Sequence, residues 1–216
     1  MTLVLEPYAD QLPHWPNIGR HILAQFDDES VVVYQVYRPE IGLYAAEHGT
    51  FGAGFSFSRM TWIKPNFLWM MFRSGWGTKE GQEVTLAIRL RRAGFDALLC
   101  GAVASSHHEH DGRNETEWRH DLKASTVRLQ WDPDHDPSGA PVQRRAIQLG
   151  IRGETLQRFV HEWILAIENV SEFVAAQRTR ERSVLLTPRE RVYPAPADAL
   201  QMLGMTNAAS TKGVDA

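Results

Sequence analysis

Cysteine is almost absent: Cys100 stands alone in 216 residues. A single thiol excludes an internal disulfide and any cluster of thiolate metal ligands. Its surroundings, DALLCGAV, are apolar and offer no cation to activate it, so a buried packing thiol is expected. The first residues, MTLVLEPYADQLPHW, lack the basic start and long apolar core of a signal peptide. No apolar run is long enough to span a membrane. From these two absences a cytoplasmic protein with no membrane partner is expected. Positive charge is not in excess: the net charge is −3 and the pI about 6.3, so specificity for duplex DNA is not expected. There is no Walker loop and no GxGxxG, and Gly49, Gly52 and Gly54 lack the preceding strand that a phosphate-binding loop needs.

One window breaks this pattern. From Arg59 to Lys79 the chain has no acidic residue, carries four positive charges (Arg59, Lys64, Arg73, Lys79) and holds three of the seven tryptophans. The window is +4, which leaves −7 for the remainder. A cationic, aromatic island in an otherwise acidic chain points to a held anion or planar ring. Arginine forks and lysine point charges grip phosphate, and an indole stacks on a base or nicotinamide. The competing account is a buried Trp/Met core helix whose flanking cations reach out to solvent.

Length and a 43% hydrophobic content suit one domain with a sizeable core. An irregular segment is expected at 1–16, a globular domain over 17–202 and a flexible tail at 203–216. Val31–Tyr37 (VVVYQVY) is β-branched and aromatic, hence a strand. Pro39 then opens a helix through PEIGLYAAEH, which Gly49 closes. Pro65 begins a helix, NFLWMMFR, apolar on nearly every side and therefore buried. Trp62, Trp69 and Trp76 are seven apart and would share one face of an unbroken helix, but Pro65 and Gly75 interrupt it. Glu83–Leu90, Thr126–Trp131 and Ile164–Ile167 read as strands, Arg145–Ile151 as a short strand or helix with strand favoured, and 184–193 as extended. Ile18–Phe26, Phe95–Ala104, Gly153–Trp163 and Ser171–Arg180 read as helices, and 105–123 as an exposed loop. The class is α+β: a single domain with a mixed sheet of about five or six strands, a buried Trp/Met-rich helix and peripheral helices.

Several constellations hold chemistry-bearing residue types. His107-His108-Glu109-His110-Asp111, with His120-Asp121 beyond, has metal-ligating types but polar, flexible flanks that would not fix them, so no metal is expected. Asp132, Asp134 and Asp136 alternate as calcium ligands do. Counted from Asp132, however, the sixth and twelfth EF-hand positions are Pro137 and Gln143. His48-Gly49-Thr50 resembles a nicotinamide-strand tripeptide of ADP-ribosyltransferases but falls at a helix end. Lys79-Glu80-Gly81 is one residue short of the Lys-x-x-Gly of nucleotidyltransferases. Arg38, then Ser56 and Ser58, then Glu190 resemble the chain order of arginine, serine and glutamate in one class of ADP-ribosyltransferases. That chemistry needs arginine on the pyrophosphate or ribose, serine to brace the pocket and glutamate to stabilise an oxocarbenium-like ribose.

The stretches YRPEIGLYAAEHGTFGAGFSFSRMTWIKPNFLWMMFRSGWGTKEGQE, VRLQWDPDHDP, RRAIQLGIRGE and TPRERVYP resemble the domain-of-unknown-function family numbered 4291, over about residues 20 to 195. The resemblance implies a single soluble domain and leaves the chemistry open.

The residues themselves point to a nucleotide-handling enzyme, a transferase similar to ADP-ribosyltransferases, with NAD or an RNA end as ligand. In this reading Arg38, Ser58, Arg59, Lys64, Arg73 and Lys79 hold phosphates, Trp62 or Trp76 stacks on a ring, and Glu190 is the catalytic carboxylate. NAD is the one cofactor it names. Two alternatives stay open: a non-catalytic module for single-stranded nucleic acid, and a structural or partner-binding protein. Oligomeric state is not written in these residues.

Overall fold

Stiff β-branched and aromatic segments set the sheets, and helices join them, two of these opened by proline or asparagine and closed by glycine. The structure, a computed structural model, describes residues 3–52, 54–107 and 114–205. In chain order the strands are β1 (Leu5–Pro7), β2 (Gly19–Arg20), β3 (Leu23–Ala24), β4 (Ser30–Tyr37), β5 (Thr61–Ile63), β6 (Val84–Arg91), β7 (Ala102–Ala104), β8 (Val127–His135), β9 (Pro141–Ile151), β10 (Ile164–Asn169), β11 (Leu186–Pro188) and β12 (Arg191–Val192). The helices are α1 (Tyr8–Gln11), α2 (Pro39–His48), α3 (Phe67–Ser74), α4 (Arg92–Cys100), α5 (Glu115–Ala124), α6 (Gly153–Arg158), α7 (Ser171–Arg178) and α8 (Ala197–Leu200). The class is α+β in a single domain, as the sequence pattern indicates.

β4, β6 and β10 form an antiparallel sheet in the order β10-β6-β4. A mixed sheet runs β2-β9-β8-β7, with β5 also paired to β9, giving five strands. Two short pairs, β1 with β11 and β3 with β12, complete the β-structure among the described residues. The two larger sheets are joined by backbone pairing beside β5. Tyr34 of β4 and Lys64, just past β5, exchange both backbone hydrogen bonds, at 2.7 and 3.2 Å. Pro65 follows and has no amide hydrogen to extend the pairing, so the chain turns away into α3.

Asn66 caps α3 by accepting the Trp69 amide at 2.7 Å, and Gly75 ends it with φ +60°. Phe67, Leu68, Trp69, Met70 and Met71 are buried, which is the Trp/Met-rich helix expected. Most of them pack with Tyr34, Leu23, Tyr8 and Trp15. A larger core joins both sheets through Val33, Ile88, Leu129 and Leu149. Trp76 takes φ +57° between two left-handed glycines, a conformation unfavourable for a bulky residue. Its ring turns onto Phe67 at 5.9 Å.

Other expectations are corrected. The segment expected to be irregular, 1–16, holds β1 and α1 in its described residues, 3–16, with Leu5 paired to Pro188 and the Trp15 indole donating to the Glu190 carbonyl at 2.9 Å. The Ile18–Phe26 helix is instead β2 and β3, whose partners lie far along the chain. The 95–104 helix stops at Cys100, and β7 follows. Within the supposed 105–123 loop, Asn114 and Glu117 build a capping box that opens α5. Cys100 is exposed rather than buried, because it falls on the outer side of the last turn of α4. Burial, then the Asp198 and Asp96 carboxylates, push its thiol upward, away from reactivity. At the expected tail, Leu203 is buried and its carbonyl accepts the Trp131 indole at 2.9 Å. Residues 206–216 lie outside the described residues, as do 108–111 of the histidine-rich stretch. No helix among the described residues is long and apolar enough to cross a membrane.

Candidate functional site: a cationic and aromatic cleft

Alternation along β8 makes one wall. Val127, Leu129 and Trp131 are buried in the core, while the intervening Gln130 and Asp132 are half-buried and line a cleft. Gln148 on β9 stands opposite Gln130 in register. Both glutamine amides donate to Asp132, Gln130 to Oδ1 at 2.8 Å and Gln148 to Oδ2 at 2.6 Å, which fixes the carboxylate. The end of β4 supplies Gln35, Val36 and Tyr37, β5 supplies Thr61 and Trp62, and α3 supplies Trp69, Met70 and Arg73. The cavity is about 560 Å³ and lies at the seam between the two sheets, with Lys64 on its lining. A second lobe of about 360 Å³ shares Tyr37, Met60 and Thr61 with it and adds Arg38, Arg59 and Ser56. Both volumes fall in the range of small-molecule sites.

Lys64 is 5% exposed. Its ammonium has no hydrogen-bond or ion-pair partner among the described residues. Burial lowers its pKa to about 8; the Arg73 charge acts in the same direction and Asp132 opposes both. Gln35 donates to Thr61 Oγ1 at 2.6 Å and to the Trp62 carbonyl at 3.1 Å. Its Oε1, and the Nε1 of Trp69, are buried with no partner among the described residues. Gln35 and Trp69 are 3% and 6% exposed, and each unspent polar atom is worth about 1–3 kcal/mol to whatever satisfies it. Burial pushes the Tyr37 phenol upward, so it stays protonated beside Thr61 Oγ1, at 2.9 Å.

The expected site residues divide. Lys64, Arg73 and Trp62 meet on the larger lobe, and Arg38 and Arg59 on the smaller. Ser58 is off both linings and pairs its hydroxyl with Ser56 at 3.1 Å. Lys79 also lies off them: its Nζ donates to the Arg73 carbonyl at 2.6 Å, closing the turn after α3. Trp76 packs inward on Phe67, so of the three spaced tryptophans only Trp62 and Trp69 reach the cleft.

Glu190 is 1% exposed and sits at the start of α3, where Oε1 accepts the Phe67 amide at 2.6 Å and Oε2 the Asn66 amide at 3.3 Å. Burial raises its carboxyl well above the usual range. That makes it a structural group of the α3 N-terminus, away from the cleft lining. Asp132, Asp134 and Asp136 likewise serve three different partners. Asp134 forms a buried ion pair with Arg144 at 2.6 Å, and Asp136 accepts from Ser138 and Ala140 in the hairpin turn. His48 ends α2, stacked on Tyr44 at 3.9 Å.

Sequence reasoning missed the neutral lining: Gln35, Gln130, Gln148, Trp69 and Tyr37. The polar alternation in VRLQWD was a usable signal, since it places Gln130 and Asp132 on one side of a strand.

Fold and cleft together define a single α+β domain with a two-lobed, cation-bearing hollow at a sheet junction. The chain belongs to the family described as Domain of unknown function (DUF4291), whose model matches residues 21–193. No curated protein matches it.

Proposed function

We propose that the cleft binds a phosphorylated nucleotide or RNA end, and that the protein is a nucleotide-handling enzyme. One observation carries this reading: Lys64 and Arg73 line one cavity, which Trp62 and Trp69 wall, and Arg38 and Arg59 line the cavity that adjoins it. Cations of that kind hold phosphates, and an indole offers a face to a base. Glutamine amides carry both donors and acceptors, which suits the edge of a base. NAD fits the same chemistry as a ligand. The ADP-ribosyltransferase order is not carried forward, because Glu190 spends its oxygens on α3. A buried lysine on the lining of a hollow of about 560 Å³ favours one nucleotide over a long strand. The single cysteine asks for no oxidising compartment, which fits work on nucleotides in the cytoplasm.

The test is a thermal-shift panel of ATP, NAD and a short 5′-phosphorylated RNA at millimolar concentration. At ten times Kd, one of them is expected to raise Tm by about 3–6 °C. Arg73→Ala should weaken that ligand at least roughly tenfold. Arg73 is exposed, so the unliganded Tm should stay within about 2 °C of wild type. No shift with any of the three would overturn the reading.

A further inference from the structure

Lys64 has properties that phosphate binding alone does not require. A lysine kept only for its charge gains nothing from burial, whereas exposed Lys79 stays solvated. Only four of the chain's 23 basic residues are lysine. Arginine is this sequence's ordinary cation, and at position 64 it would stay charged and fork onto phosphate. Lysine offers instead an amine that can shed its proton. With its pKa near 8, Lys64 holds roughly 300-fold more neutral amine at pH 7 than a free lysine. Its backbone is fixed by the paired hydrogen bonds to Tyr34 and by Pro65, so the amine is delivered from a rigid point. Arg73 stands near enough to disfavour the proton, the arrangement that activates a lysine nucleophile.

We propose that Lys64 is a nucleophile that accepts a nucleotidyl group from a nucleoside triphosphate, forming a covalent lysyl-nucleotide and releasing pyrophosphate. This rests on the nucleotide reading of the same cleft. The lone pair of neutral Nζ attacks the α-phosphorus. A P–N bond forms as the P–O bond to the bridging oxygen breaks, and the electron pair leaves with pyrophosphate. The nitrogen then gives up one proton to solvent, with Asp132 as the carboxylate beside it, held by Gln130 and Gln148. Arg73 bears on the α-phosphate. Arg38 and Arg59, in the adjoining lobe, are the cations available to the departing pyrophosphate. Lys79, in the near-match Lys79-Glu80-Gly81, is exposed and donates its Nζ to the Arg73 carbonyl, off the cleft lining.

The experiment incubates the full chain with ATP, GTP, CTP or UTP, each labelled at the α-phosphate, with magnesium at pH 8. One of them should leave a label that survives denaturation and alkali, is released by acid, and maps to Lys64 by peptide mass spectrometry. Lys64→Arg keeps the charge without the nucleophile. It should form at least roughly a hundredfold less adduct while the nucleotide still raises its Tm. If that variant does not fold, the wild-type map decides alone, and a label on Lys79, Lys123 or Lys212 overturns the assignment. A thermal shift with no adduct from any triphosphate overturns the covalent step and leaves the binding reading standing. Neither shift nor adduct ends both.

Discussion

Replacing Glu190 by alanine is expected to destabilise the fold by about 3–5 kcal/mol, the larger of two effects forecast for buried ionisable groups. Alanine strands the Phe67 amide and the Asn66 side chain without an acceptor and opens a void beside α3. Glutamine keeps the shape and one acceptor, so Phe67 stays satisfied. It sets an NH2 against the Asn66 NH2, however, and Asn66 cannot flip because its oxygen caps Trp69. A cost of about 1–2 kcal/mol follows for Glu190→Gln.

The pH dependence has a definite sign. Burial holds the native carboxyl protonated above the range where the unfolded chain loses its proton. Across that interval the native state binds more protons, so this group's contribution is fullest at low pH and fades as pH rises through it. The wild-type advantage over Glu190→Gln should therefore shrink from pH 5 towards neutrality in chemical unfolding. An advantage that grows with pH would show the carboxylate to be charged in the fold.

Lys64→Met is expected to do the opposite of most core substitutions: stabilise the protein by about 1–3 kcal/mol at pH 6–7 while removing nucleotide-dependent stabilisation. Below pH 8 the native state must keep a proton on a buried amine that has no ion-pair partner among the described residues, at a cost of roughly 3 kcal/mol relative to the unfolded chain. Methionine fills the same space without that charge. The penalty is complete below the folded pKa near 8 and is relieved as pH climbs towards that of free lysine, because only the unfolded chain then binds the proton. The Tm gap between Lys64→Met and wild type should accordingly close between pH 8 and 10. A variant that is less stable than wild type at pH 6–7 would mean that Lys64 is held there for the fold's sake.

Elements with a local signature were legible in the sequence: VVVYQVY, the proline-opened α2 with its Gly49 stop, and the apolar α3 between Pro65 and Gly75. The cation cluster was legible too, because charge gathered between Arg59 and Lys79 survives folding into nearby elements. What stayed hidden was set by distance along the chain. β1, β2, β3 and β12 are two- or three-residue strands whose pairing depends on partners far away, such as Leu5 with Pro188. Gln130 and Gln148 become a pair only through the β8–β9 register, and neither is charged enough to draw notice alone. Glu190 was misread for the same reason. An acidic residue in an extended segment looks available until the α3 N-terminus, from 123 residues earlier, closes over it.

The cleft itself is tested most directly by a co-crystal structure with ATP. The account predicts phosphate oxygens within hydrogen-bonding distance of Lys64 Nζ and the Arg73 guanidinium, with the adenine against Trp62 or Trp69. ATP bound elsewhere on the molecule, with the Lys64 cavity left empty, would contradict it.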